Sequence, residues 1–194
     1  MVCVYKHYNY GSDFMLLSYK DCVEKYGSDY QIKKEISNGA LFLKEKGIYS
    51  TRKHDPEIEV ILYKYPKAVF SGKSAFYYHS LTDVIPDMYY LATRRTDTRI
   101  KDSRIKQSFL NDDLFEAGIT NMDYNGSTIR IYDQERMLIE LMRFKSKIPM
   151  DYYKEIIQSF RKRTYEMDFG LVEEYASLFN SGNRFMEMIQ MEVL

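Results

Sequence analysis

The sequence predicts an α+β protein with an N-terminal winged helix-turn-helix over residues 1–54 and a mixed α/β domain over residues 55–194. Three observations carry this. Between Ser18 and Thr51 two short helical patterns are followed by a compact hairpin. The polar segment Lys53-His54-Asp55-Pro56-Glu57, holding the first proline of the chain, then reads as a linker. Beyond it, strand-like and helix-like stretches alternate irregularly, with no repeat and no low-complexity tract. At 194 residues, 45% apolar and 29% charged, the chain has the composition of a folded globular protein.

Residues 1–17 are rich in tyrosine and weakly periodic, and read as an arm or an edge strand. Ser18 is placed to cap a helix, with Asp21 three residues on completing a variant capping box. That helix presents Tyr19, Cys22, Val23 and Tyr26 at helical spacing and stops at Gly27. Ser28 or Asp29 opens a second helix with Ile32 and Ile36 facing inward, closed by Asn38-Gly39, which tolerate a left-handed cap. Ala40–Lys44 and Ile48–Thr51 are then the strands of a hairpin around Glu45-Lys46-Gly47.

In the larger part, Ile58–Tyr65 reads as an apolar helix ended by Pro66. Ser74–Leu81 reads as another helix, and Met88–Thr93 and Ser127–Tyr132 as strands. Asp133 is a helix cap, followed by the amphipathic stripe Met137, Leu138, Leu141 and Met142. Helices near residues 151–164 and 170–180 follow, and the tail 184–194 reads as a strand or a short helix. The core has to be largely phenolic and phenyl, since there are 19 tyrosines, 11 phenylalanines and no tryptophan.

Charge is balanced overall, with 28 basic and 28 acidic side chains, but not locally. Residues 61–110 hold nine basic and four acidic groups, and residues 111–194 ten and fifteen. Binding would follow those local fields rather than the total. Cys3 and Cys22 are too few for a disulfide framework or a zinc site, and read as free thiols of a reducing compartment. No apolar run nears the roughly 18 residues of a membrane span, and the start lacks a signal-peptide core. A cytoplasmic protein with no membrane association is expected.

Candidate function starts from the second helix. With Ile32 and Ile36 inward, Tyr30, Gln31, Lys33, Lys34 and Ser37 face out. Gln31 can pair with an adenine edge, and the lysines can reach phosphate or guanine. Lys44 and Lys46 on the wing can track the neighbouring backbone. A second basic patch, Arg94, Arg95, Arg99, Lys101, Arg104 and Lys106, is either another phosphate-contacting surface or a charged loop and edge strand kept soluble. Arg161-Lys162-Arg163 reads as a complement to a helix C-terminus.

Catalytic and cofactor chemistry finds little support. Ser71-Gly72-Lys73-Ser74 contains Gly-Lys-Ser, but a phosphate-binding loop needs glycine at position 67, which is lysine. His7, His54 and His79 have no metal-ligand spacing. His79 and Asp83 share a helix face if the helix continues, a weak acid–base pair beside the plainer reading of a structural histidine. No metal, no cofactor and no enzymatic activity is expected.

Three blocks give the chain a family likeness. They are Leu43–Tyr49, then Pro66–Thr82 with its small and aromatic residues closing on His79 and Leu81, and Ile129–Leu141 with its strand, Asp133 cap, Glu135-Arg136 and apolar helix. In that order and spacing they resemble the AbiEi-type antitoxins of type IV toxin–antitoxin systems, an abortive-infection family. The resemblance implies a DNA-binding head and a larger antitoxin domain. It also implies a transcriptional repressor that binds double-stranded DNA at repeats in its own promoter. With zero net charge, DNA affinity is expected to draw on the Arg94–Lys106 patch or on a second protomer, as a homodimer on the DNA. The functional counterpart would be a nucleotidyltransferase-like toxin, countered without a stable complex. The alternatives are a stand-alone winged-helix regulator with no toxin and an enzyme acting on nucleic acid.

Overall fold

The computed structural model describes residues 16–194, which fall into two compact units, one ending at Pro66 and the other spanning Lys67–Leu194. The chain is mixed α and β with two separate sheets. Residues 1–15 of the N-terminal arm lie outside the described residues; its last two, Leu16 and Leu17, form strand β1 together with Ser18.

The first unit runs β1, α1 (Tyr19–Tyr26), α2 (Asp29–Ser37), β2 (Phe42–Glu45), β3 (Ile48–Ser50) and α3 (Glu57–Lys64). Its start is fixed by a complete capping box. The Asp21 amide donates to Ser18 Oγ at 3.1 Å and the Ser18 amide to Asp21 Oδ2 at 2.8 Å. Gly27, at φ +88°, ends α1, and Ser28 caps α2 through the Gln31 amide. β3 lies between β1 and β2, antiparallel to both. Leu17, Cys22, Ile32 and Leu41 form the core, with Val23, Tyr26, Ile36 and Tyr49 packed around it.

The division between units falls at Pro66 and not at residue 54. Segment 53–57 is no free linker, because Asp55 is held on several sides. Ser50 Oγ donates to its Oδ1 at 3.0 Å, Arg52 Nε donates to the same oxygen at 2.7 Å, and Lys44 Nζ stands 2.8 Å from Oδ2. Arg52 also pairs with Glu59 on α3, so that helix is tied to the hairpin.

The second unit is built on a five-stranded mixed sheet. Its strands are β4 (Val69–Phe70), β5 (Tyr89–Arg94), β6 (Ile105–Leu110), β7 (Ile119–Tyr124) and β8 (Ser127–Tyr132), in the order β6-β5-β4-β8-β7. β5–β6 and β4–β8 pair in parallel, and β4–β5 and β7–β8 antiparallel. Asn125 and Gly126, both at positive φ, make the tight turn between β7 and β8. The helices are α4 (Gly72–Tyr78), α5 (Asp112–Glu116), α6 (Gln134–Phe144), α7 (Met150–Arg161), α8 (Phe169–Ser177) and α9 (Gly182–Glu192). Asp133 caps α6 through the Arg136 amide at 2.7 Å, and Met137 through Met142 are all buried.

Inside α6, Arg136 is fully buried. Its Nη2 donates to Glu140 Oε1 at 2.8 Å, and its guanidinium lies 5.0 Å from the Tyr132 ring centroid and 5.2 Å from that of Phe179. Arg143 Nη1 shares the other Glu140 oxygen at 3.2 Å. The charge is thus compensated where water cannot reach it, as burial requires.

Candidate nucleic-acid interface

The candidate interface of the first unit is the outer side of α2. Ile32 is buried and Ile36 half-buried. At about 100° per residue, Tyr30, Lys34 and Ser37 therefore point away from the core, with Lys33 and Gln31 on the flanks. All five are exposed, and Tyr30 is 73% exposed. A large aromatic this open beside two exposed lysines is the feature that sets this surface apart.

Its first turn is braced rather than loose. Tyr19 Oη donates to Asp29 Oδ1 at 2.9 Å, which occupies the one carboxylate at that end of the helix. The carboxylate beside it raises the Tyr19 phenol above its ordinary range. Ser37 is partly committed, since its hydroxyl donates to the Lys33 carbonyl at 3.0 Å.

The hairpin supplies less than its composition suggests. Lys44 is not a free cation: its side chain is only 13% exposed, Nζ donates to the Lys53 carbonyl at 2.7 Å, and it pairs with Asp55. Lys46 does remain exposed, in the turn ahead of Gly47 at φ +80°. Lys53 and His54 are exposed as well. Reading segment 53–57 as a linker missed them. The signal available was Asp55 itself, an acid eleven residues beyond Lys44 and three beyond Arg52.

The second basic patch divides in two. Arg94 pairs with Asp112 at 2.8 Å and with Glu116, and its guanidinium lies 4.9 Å from the Phe115 ring centroid. Arg104 closes on Asp102 at 2.7 Å. Arg95, Arg99, Lys101 and Lys106 are exposed and make no ion pair with any described residue.

The weaker chemical candidates resolve as structure. Ser74 Oγ accepts from the Tyr90 amide at 2.8 Å and donates to the Met88 carbonyl at 3.3 Å, tying α4 to β5. α4 ends at Tyr78, so His79 and Asp83 share no helix face. His79 Nε2 lies 2.7 Å from the Tyr132 carbonyl, a bond that needs the proton on that nitrogen. Burial lowers the His79 pKa, which disfavours the charged ring. Arg163 does not serve its own helix. It donates to the carbonyls of His79 and Ser80 at 2.7 and 2.8 Å, at the far end of α4. Among the described residues no group of three or more metal-ligating side chains comes together, and no helix is long and apolar enough to cross a membrane.

No family model and no curated protein matches the sequence. Among solved structures, the fold is similar to the crystal structure of RV2827C protein from Mycobacterium tuberculosis. The TM-score is 0.62 at 12% identity, covering 87% of this chain and 68% of the other. At that identity the likeness concerns the fold.

Proposed function

We propose that this chain is a DNA-binding antitoxin of the AbiEi type, which represses its own operon and counteracts a nucleotidyltransferase-like toxin. In this reading the first unit is a winged helix-turn-helix, α2 is its recognition helix and the β2–β3 hairpin its wing. The observation that carries it is the outer face of α2, where Tyr30, Gln31, Lys33 and Lys34 stand exposed on a helix anchored by Ile32. A helix held from behind and armed with amide and ammonium donors suits a major groove. The three family-like blocks, in their order along the chain, supply the antitoxin half of the proposal.

Lys33 and Lys34 would take phosphates, Gln31 and Tyr30 would meet base edges, and Lys46 would follow the neighbouring backbone. Replacing both lysines, Lys33→Ala with Lys34→Ala, should weaken binding to the operon's own promoter. The slope of log affinity against log salt should become shallower by about two, roughly 0.9 for each lost phosphate contact. A filter-binding titration measures both. An unchanged slope would remove α2 from the interface. Co-expression with a nucleotidyltransferase encoded beside it tests the antitoxin half, and failure to restore growth would refute that part.

A further inference from the structure

The connection between β5 and β6 joins two parallel strands through residues 95–104 with no helix between them. Parallel neighbours usually need a crossover of about a dozen residues or more, most often helical. A path this short has to be fastened along its length. The Arg95 amide donates to the Leu110 carbonyl at 2.6 Å, and the Tyr89 amide to the Arg104 carbonyl at 2.8 Å, so both ends are tied to the sheet. In the middle a single side chain does the tethering. Gln107 Nε2 donates to Thr93 Oγ1 at 2.7 Å and to the Thr98 carbonyl at 3.3 Å, while its Oε1 accepts from the Ile100 amide at 2.7 Å.

The two acids of the segment are used in that framework. Asp97 accepts from the Arg94 amide at 2.9 Å. Asp102 accepts from the amide, Nε and Nη2 of Arg104 at 3.1, 2.9 and 2.7 Å. Arg95, Arg99 and Lys101 are left as three exposed cations on a fastened loop, while Lys106 belongs to β6 and faces the other side of that strand. On the strand that the loop enters, Phe109 is 44% exposed. Its side chain falls on the same side of β6 as that of Gln107, two residues earlier, which grips the loop.

We propose that this crossover is a second nucleic-acid contact, a preformed cationic loop that takes the phosphates of a single strand and stacks an unpaired base on Phe109. Cations along a backbone path beside an open aromatic face are the chemistry of single-strand binding. An acidic peptide would use the charges and leave the ring idle. The proposal does not depend on the role of α2, which serves a duplex through different residues.

The test is fluorescence anisotropy on the full chain with a short oligothymidylate, an unrelated duplex and polyglutamate. Neutralising the loop, Arg95→Gln, Arg99→Gln and Lys101→Gln, should weaken oligothymidylate binding at least tenfold. Its salt slope should become shallower by about two, at roughly 0.7 per phosphate on a single strand. Phe109→Ala should cost about tenfold, in the range measured for stacked bases. Arg95→Lys with Arg99→Lys keeps the charge and should bind within a few-fold of the parent, which separates lost contacts from a damaged fold. Lys33→Ala with Lys34→Ala should leave oligothymidylate binding as it was. The proposal is overturned by a parental slope in the neutralised chain, or by an indifferent Phe109→Ala. Polyglutamate competing as well as oligothymidylate, or the duplex binding the loop as tightly as the single strand, overturns it too.

Discussion

Arg136 and Glu140 offer the sharpest test of what holds the second unit together. Glu140→Leu would strand a fully buried guanidinium whose remaining protein contacts are two aromatic faces and the Ala117 carbonyl at 3.5 Å. Breaking a buried pair from one side costs about 3–5 kcal/mol. The two rings touch the guanidinium in the parent and the variant alike, so they do not alter that difference. A loss of about 3 kcal/mol or more is therefore expected, a fall of roughly 10 °C or more in the melting of this unit. Removing both charges, Arg136→Met with Glu140→Leu, should behave quite differently. The pair would give way to apolar groups of similar length, and Arg143, about one-third exposed, can turn to water. The double variant should stand within about 1 kcal/mol of the parent, since hydrophobic replacement of buried pairs is often neutral or better. Calorimetry of the full chain, following the transition of the larger unit, measures all three proteins. If the double variant melts as low as Glu140→Leu or lower, the pair is itself a net stabiliser and the reasoning fails.

A Cβ on the buried Gly182 would lie 2.2 Å from the Ala176 carbonyl oxygen, which belongs to helix backbone. Gly182→Ala should destabilise the α8–α9 corner by about 3 kcal/mol or more, read by urea denaturation, and a neutral substitution would show that α9 is free to shift. In the first unit, burial pushes the Asp55 carboxyl up, but hydrogen bonds from Lys44, Ser50 and Arg52 prevail and hold it below its ordinary value. Its stabilising effect is complete above the usual carboxylate value near 4 and is lost as pH falls through the lower folded value. Melting of the first unit should drop across that acid range in the parent, and Asp55→Asn should flatten the drop. An acid limb unchanged by Asp55→Asn would assign the effect to other carboxylates.

Legibility from sequence followed how local the deciding interaction was. Ser18 with Asp21, Ser28 with the Gln31 amide, and Asp133 with the Arg136 amide each act within three residues, and those helix starts fell where the sequence put them. Ser127–Tyr132 alternates cleanly and is strand β8. Its partner β7 is hidden in the sequence, because Ile119-Thr-Asn-Met-Asp-Tyr is an edge strand with much polar surface. The Asn125-Gly126 turn is its local signal. β6 is set by parallel pairing with β5, which no local pattern records. At the candidate interface, the exposed face of α2 followed from the inward placement of Ile32. The fate of Lys44 did not, because counting cations ignores which acid the fold brings near. Asp55 retires Lys44, and Asp112 with Glu116 occupies Arg94.

Strand β4 has only two residues, yet it links the two halves of the larger sheet, meeting β5 on one side and β8 on the other. Its parallel partner for Phe70 is Ile131, whose backbone is synthesised 61 residues later. At about 5–20 residues per second, a growing chain waits roughly 3–12 s between making the centre of the sheet and making the strand that closes it. Among the described residues the first unit faces no such delay, since its strand pairs form within residues 16–50. On the ribosome, that unit can be complete while Val69 and Phe70 still have one open edge, so the interval before β8 emerges is the time when this protein is most exposed to mispairing.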